Sequence, residues 1–125
     1  MAITPKKILL VEDDGIQQII MERLINNLGH TVLATASDGE SAVNSALKLE
    51  GVDLIIMDIR LGDDFDGIEA MKKIRKKSNV KVIYVTGNSE SFTKERAKKT
   101  KYEAFIEKPL TRDKLESALE QAFPE

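Results

Sequence analysis

Apolar positions along the chain fall into short contiguous runs separated by stretches of helical spacing. The densest run is Leu54-Ile55-Ile56-Met57, which closes on Asp58. Four apolar residues in a row predict a strand buried on both faces, as at the centre of a parallel sheet. Similar runs lie over 6–11, with Ile8, Leu9, Leu10 and Val11, and over 80–86, with Val82, Ile83, Tyr84 and Val85. A less apolar strand over 30–36 is expected at an edge, and a fifth over 103–108 runs into Pro109.

The intervening segments carry helix signals. Asp14-Gly15-Ile16-Gln17 has capping-box spacing, and Ile16, Ile19, Ile20, Leu24 and Leu28 follow at helical intervals until Gly29. A second box, Ser37-Asp38-Gly39-Glu40, opens a helix with Val43, Ala46 and Leu47 inward, closed at Gly51. Asp66-Gly67-Ile68-Glu69 caps a third, carrying Ile68, Met71 and Ile74. The segment 89–100 offers only Phe92 and Ala97 as inward residues among many charges, which predicts a weakly anchored helix. The last helix starts near Thr111 and buries Leu115, Ala118, Leu119 and Ala122. Five strands alternating with five helices predict an α/β domain with a parallel sheet.

Composition narrows the function. A chain of 125 residues is one domain with room for a hydrophobic core, and 19 Lys+Arg against 21 Asp+Glu give no electrostatic case for nucleic acid as the main partner. Without Cys there is no disulfide framework, thiolate nucleophile or Cys-based zinc site. No apolar segment approaches the roughly 18 residues needed to cross a membrane, and the start lacks the apolar core of a signal peptide. A cytoplasmic domain with no membrane partner is the expectation. The single histidine, in Gly29-His30-Thr31-Val32, reads as a surface or turn residue.

In parallel βα units all strand carboxyl ends lie on one side of the sheet, where ligands bind. Glu12 and Asp13 from the first strand, Asp58 from the third, Thr86 from the fourth and Lys108 from the fifth should therefore meet. A buried ionised Asp is costly unless paired or metal-bound. Three carboxylates with water suit Mg²⁺, which prefers octahedral oxygen ligands. Lys108 can contact a phosphoryl oxygen and Thr86 can donate a hydroxyl hydrogen bond to it. The set suits phosphoryl transfer with Asp58 as nucleophile, giving an aspartyl-phosphate.

The motifs Ile8-Leu9-Leu10-Val11-Glu12-Asp13-Asp14, Asp53-Leu54-Ile55-Ile56-Met57-Asp58, Asp66-Gly67, Val85-Thr86-Gly87 and Lys108-Pro109 occur in order across nearly the whole chain. In these residues the chain resembles a response-regulator receiver domain of two-component signalling systems. The resemblance implies a flavodoxin-like, doubly wound sheet of order 2-1-3-4-5. It further implies that Glu12 and Asp13 hold Mg²⁺ (or Mn²⁺) with Asp58 and the Arg60 backbone carbonyl. Asp58 would accept phosphate from a sensor histidine kinase or phosphotransfer protein. Thr86 and Phe105 would be switch residues, Phe105 standing where the family more often has Tyr. The Lys108-Pro109 bond is expected to be cis. Arg60 and Asn88 occupy the positions that tune phosphoryl lifetime.

Phosphorylation would shift an existing equilibrium at the surface of the fourth helix, fifth strand and fifth helix, toward a downstream protein the residues do not name. Dimerisation through that face is left open. Lys94, Arg96, Lys98, Lys99 and Lys101 read as a solvated face or as part of partner selection. The chain departs from the family pattern in an Asp58-to-Gly67 loop one residue longer than the commonest, in Gly62 where Pro is frequent, and in the bulky Tyr102. The loop Gly62-Asp63-Asp64-Phe65 is expected to be flexible. Few residues lie outside the predicted fold, so a single-domain regulator, a relay intermediate or a piece of a longer protein is expected, with no attached DNA-binding module.

Two other classes fit less well. A flavodoxin-type cofactor module is prompted by Thr86-Gly87-Asn88-Ser89-Glu90, but acids rather than a phosphate loop follow the first strand. An aspartyl-phosphate phosphatase needs an acid two residues beyond its nucleophile, where this chain has Arg60, and a cap domain. A turnover enzyme is therefore not expected. A receiver-like binding module without phosphorylation is disfavoured by the complete acid, Thr and Lys set.

Overall fold

The apolar runs form the sheet. The computed structural model describes residues 3–62, 65–87 and 91–125. Its strands are β1 (Lys7–Val11), β2 (Thr31–Ala36), β3 (Leu54–Asp58), β4 (Lys81–Thr86) and β5 (Ala104–Glu107). They alternate with α1 (Gly15–Asn27), α2 (Gly39–Lys48), α3 (Gly67–Arg75), α4 (Ser91–Lys98) and α5 (Arg112–Ala122). The strands pair in parallel in the order β2-β1-β3-β4-β5, the predicted doubly wound sheet with β2 at an edge.

Alternate residues of each strand feed two apolar layers. Leu9, Val11, Ile55, Met57, Val82 and Tyr84 pack with α2, α3 and Ala97 of α4. Ile8, Leu10, Leu54, Ile56, Ile83 and Val85 pack with Met21 and Ile25 of α1 and with Leu115, Ala118, Leu119 and Ala122 of α5. Every residue of β3 is buried, as a strand covered on both faces must be. Each of its aliphatic side chains contributes about 1.5–3 kcal/mol by leaving water. The register Leu10↔Ile56↔Ile83 aligns the strand ends that carry the polar residues.

The helix caps follow the chemistry of short polar side chains, which accept hydrogen bonds from otherwise unpaired amides. Asp14, Asp38, Asp66 and Thr111 are the N-caps of α1, α2, α3 and α5. The box on α2 closes between Asp38 and Ser41, rather than through Glu40. Ser41 stands three residues after the cap, the spacing the reciprocal bond requires.

Burial expectations on three helices, α1, α2 and α4, are corrected. The stripe Ile16, Ile19 and Ile20 does not face the sheet; these residues are 71%, 59% and 46% exposed, and Met21 and Ile25 are buried instead. Leu24 and Leu28 are partly buried. On α2 the buried residues are Gly39 and Ala42, while Leu47 is exposed. Phe92 is 72% exposed, leaving Ala97 as the buried apolar contact of α4 among the described residues.

His30 is also not a surface residue. It is 5% exposed, and its Nδ1 accepts a hydrogen bond from the Lys6 amide at 3.0 Å. The bond holds the approach to β1 against the start of β2, because the Lys6 carbonyl also accepts from Thr31 N at 2.9 Å. Burial lowers the His30 pKa, the Lys6 charge lowers it further, and Glu125 opposes them. The folded chain thus favours neutral imidazole. The His30 contribution is complete above about pH 6.5, the ordinary value. It is lost as pH falls from there through the lowered native value, where the unfolded chain binds the extra proton. His30→Ala is expected to cost about 1–3 kcal/mol, since it orphans a part-buried amide. It should also flatten stability between pH 5 and 7; urea unfolding across that range reads both effects.

Candidate functional site

The carboxyl ends of the strands open into a cleft of about 870 Å³ lined by Glu12, Asp13, Asp58, Thr86 and Lys108 among others. Glu12 directly follows β1, and its amide extends the sheet by donating to the Ala36 carbonyl at 3.0 Å. Asp58 is the last residue of β3, and the next amide, Ile59, bonds the Val85 carbonyl of β4 at 3.1 Å. Lys108 follows β5, its amide bonded to the Thr86 carbonyl at 2.7 Å, and its bond to Pro109 is cis as expected. Backbone pairing with neighbouring strands thus sets each of these positions.

The electrostatics are those of crowded acids around one lysine. Glu12 and Asp58 are almost wholly buried, while Asp13 is exposed at the rim. Lys108 Nζ lies 2.9 Å from Asp58 Oδ2 and 3.2 Å from Glu12 Oε1. Burial alone would lower the Lys108 pKa, but the bonds and charges of Asp58 and Glu12 raise it above its usual value. Desolvation raises the Glu12 carboxyl, and Asp58 raises it further. Asp13 is also raised, first by desolvation and then by Glu12. Ligand oxygens of Glu12, Asp13 and Asp58 lie within 4.8 Å of one another. Three hard oxygen donors whose mutual repulsion a cation would relieve fit a divalent metal of the magnesium type.

Asp58 is also held from its own loop. Its Oδ1 accepts the Arg60 amide at 3.1 Å, and Arg60 is among the residues lining the cleft. Gly62 has φ +84°, and a Cβ there would meet Asp13 Oδ2 at 3.4 Å. Proline, with φ near −65°, cannot follow this path, so Gly62 accounts for its own departure from the family pattern. Thr86 is buried at the end of β4. The half-buried Phe105 packs against Tyr84 and Tyr102 at centroid distances of 6.2 and 5.7 Å, with Lys94 Nζ 5.6 Å above its ring. Asp63, Asp64 and Asn88 lie outside the described residues.

The cleft also takes in residues whose sequence signal concerned something else. Asp66, read as a helix cap, does cap α3, and it lines the cleft too. Gln17, Thr93 and Arg96 join it. Arg96 sits in a weakly patterned helix, where periodicity does not say which face turns inward.

Comparison with known proteins agrees with this geometry. The response regulator receiver domain family matches residues 8–120, and the chain belongs to that family. It is 30% identical over 121 residues to the transcriptional regulatory protein PdtaR of Mycobacterium tuberculosis, covering 97% of this chain and 58% of that protein. The TorCAD operon transcriptional regulatory protein TorR of Escherichia coli K12 is 30% identical over 106 residues, covering 85% of this chain and 45% of that one. The chain thus spans about half the length of these relatives. Among solved structures it is similar to the receiver domain of sensor histidine kinase PA1611 from Pseudomonas aeruginosa PAO1, which has magnesium coordinated in its active site cleft. The TM-score is 0.84 at 31% identity, covering 98% of this chain and 100% of that one. The protein is therefore a two-component receiver domain with an acidic cleft, and no described helix is long and apolar enough to cross a membrane.

Gly67 is where side-chain volume at the site is most restricted. An added Cβ would lie 2.3 Å from the Asp58 carbonyl oxygen and 2.8 Å from Met57 Cγ. Gly67→Ala must displace the backbone of the Asp58 strand end. A loss of about 1–3 kcal/mol in urea unfolding is expected, as for overpacked cores.

Proposed function

We propose that the protein is a phosphoacceptor receiver, in which Asp58 takes a phosphoryl group from the phosphohistidine of a kinase or phosphotransfer protein. The observation that carries this reading is the buried Asp58 carboxylate with Lys108 Nζ 2.9 Å away at a mouth rimmed by two more acids. An Asp58 oxygen attacks phosphorus; the new P–O bond forms as the P–N bond to the donor histidine breaks, and the imidazole nitrogen leaves with that electron pair. Lys108 moves from the carboxylates toward the phosphoryl oxygens, and the Thr86 hydroxyl donates to the same group. Glu12, Asp13, Asp58 and the Arg60 carbonyl would hold Mg²⁺ or Mn²⁺, which supplies charge neutralisation when bound. The relative from Pseudomonas with magnesium in its cleft supports this assignment.

Phe105 turning inward as Thr86 moves would carry the change to the α4, β5 and α5 surface and to a downstream protein or a second copy of the chain. Arg60 and Asn88 would tune how long the phosphoryl group lasts. The chain acts only on its own aspartate, works in the cytoplasm, and forms one receiver unit over residues 1–125. Ile16, Ile19 and Ile20 on α1 stand exposed next to Gln17, which lines the cleft; this apolar patch suits the docking of the phosphohistidine donor.

Intact mass after incubation with Mg²⁺ and acetyl phosphate tests the assignment. One phosphoryl adduct is expected, absent in Asp58→Asn and without magnesium. An adduct that persists in Asp58→Asn would overturn the site. Ile19→Glu is expected to slow transfer from the cognate phosphohistidine protein about tenfold or more, a hot-spot loss. Labelling by acetyl phosphate, which needs no docking face, should be unchanged.

A further inference from the structure

Arg96 is a cation of the cleft that the phosphoacceptor set does not use. It projects from α4 and pairs through Nη2 with Asp66 Oδ2 at 2.9 Å and with Glu69 Oε1 at 3.5 Å. Asp66 thereby performs two tasks: its Oδ1 caps α3 by accepting from Glu69 N at 2.9 Å, and its Oδ2 takes the guanidinium. Glu69 is shared as well, since Lys72 Nζ lies 3.2 Å from its Oε1. Both Arg96 and Asp66 line the same cleft as Asp58 and Lys108.

The attachment of α4 to the rest of the fold makes this pair consequential. Its buried apolar contact is Ala97, a small side chain, and Phe92 points into solvent. The ion pairs of Arg96 therefore carry much of what joins α4 to the start of α3. Half-exposed pairs of this kind are weak, and a multiply charged anion in the same cleft competes with them. A planar guanidinium matches phosphoryl oxygens better than a point charge does.

Resting on the phosphoacceptor reading, we infer that Arg96 is a shared cation, held by Asp66 and Glu69 in this state and drawn toward the anion once Asp58 carries a phosphoryl group. The charge at Asp58 then reaches α4 through a side chain of α4 itself. This adds a second route beside Thr86 and Phe105. Reciprocity follows: whatever loosens Arg96 from Glu69 strengthens its hold on the anion.

The test is beryllofluoride binding with Mg²⁺, titrated by fluorine NMR, together with hydrogen exchange over residues 91–98. Glu69→Gln is expected to tighten binding about two- to fivefold, in line with the strength of such a pair. Arg96→Gln should weaken it and raise exchange in α4 before any ligand is added. In the Arg96→Gln background the gain from Glu69→Gln should vanish. A gain that survives there reflects the local field alone and overturns the inference, as does wild-type affinity in Arg96→Gln. Arg96→Lys, which keeps charge but loses the planar fork, should bind with intermediate affinity, and it replaces Arg96→Gln in the cycle if that chain does not fold. Failure of the wild type to bind beryllofluoride would overturn the phosphoacceptor reading, and this inference with it.

Discussion

Two buried carboxylates, Glu12 and Asp58, end neighbouring strands and share one ammonium group from a third. Much of the rest of the structure can be understood from that constraint. Like charges at this spacing repel, and low-dielectric surroundings strengthen the repulsion, so the site opposes folding unless cations compensate it. The raised pKa values of Glu12 and Asp13 are the same opposition seen in proton binding. A sheet whose central strand is wholly buried supplies the rigidity and apolar stabilisation to hold the acids in place. A receiver built this way is set to respond to charge: a divalent cation or, on the proposed reading, a phosphoryl group would change the balance at the strand ends directly.

What could be read from sequence divides along a physical line. Contiguous apolar runs locate strands without reference to any partner, because both faces are covered; β1, β3 and β4 lie within a residue of expectation. Their carboxyl ends then bring together Glu12, Asp13, Asp58, Thr86 and Lys108, since a parallel sheet leaves no other arrangement. Helices depend on which of two apolar stripes meets the sheet. On α1, Ile16, Ile19 and Ile20 make a stripe as good by spacing as Met21 and Ile25, and periodicity carries no information on which one packs. Leu47 and Phe92 turn outward at positions where helical spacing alone allows them inward. His30 was missed because its partner is a backbone amide 24 residues earlier, and no local pattern announces such a bond.

Arg96 and Asp66 illustrate another limit. A charged residue on a sparsely apolar helix reads as solvated, and Asp before Gly reads as a cap; each description is locally adequate. Their meeting depends on how α4 comes beside the start of α3, which is a tertiary fact. The basic residues at the far ends of these helices are explained more simply. Lys72, Lys73 and Arg75 sit in the last turn of α3 and Arg96 and Lys98 in that of α4, where positive charge favours the helix dipole. Arg75 is the exception within that group. Its guanidinium donates to the carbonyls of Thr100, Ser78, Val80 and Lys101, joining the end of α3 to the turns before β4 and β5.

That bolt bears on how α4 can move. Arg75 holds the chain just beyond the end of α4, and Thr100 is fixed further by hydrogen bonds to Tyr84 Oη and the Ala97 carbonyl, both at 2.6 Å. Arg96, in the last turn of α4, adds its pairs with Asp66 and Glu69 at the same end. A helix whose described ties, through Arg96, Ala97 and Thr100, gather at its carboxyl end can pivot about that end rather than slide. Such a pivot would change the contacts of Lys94, which lies over the Phe105 ring, and so alter the α4 and β5 surface without disturbing the buried strands. On the proposed phosphoacceptor reading, a phosphoryl charge would need to supply only the small energy of half-exposed ion pairs to bias that motion. A weakly anchored helix beside a strongly charged cleft is therefore a coherent design, and the scarcity of apolar residues in α4 is what allows it.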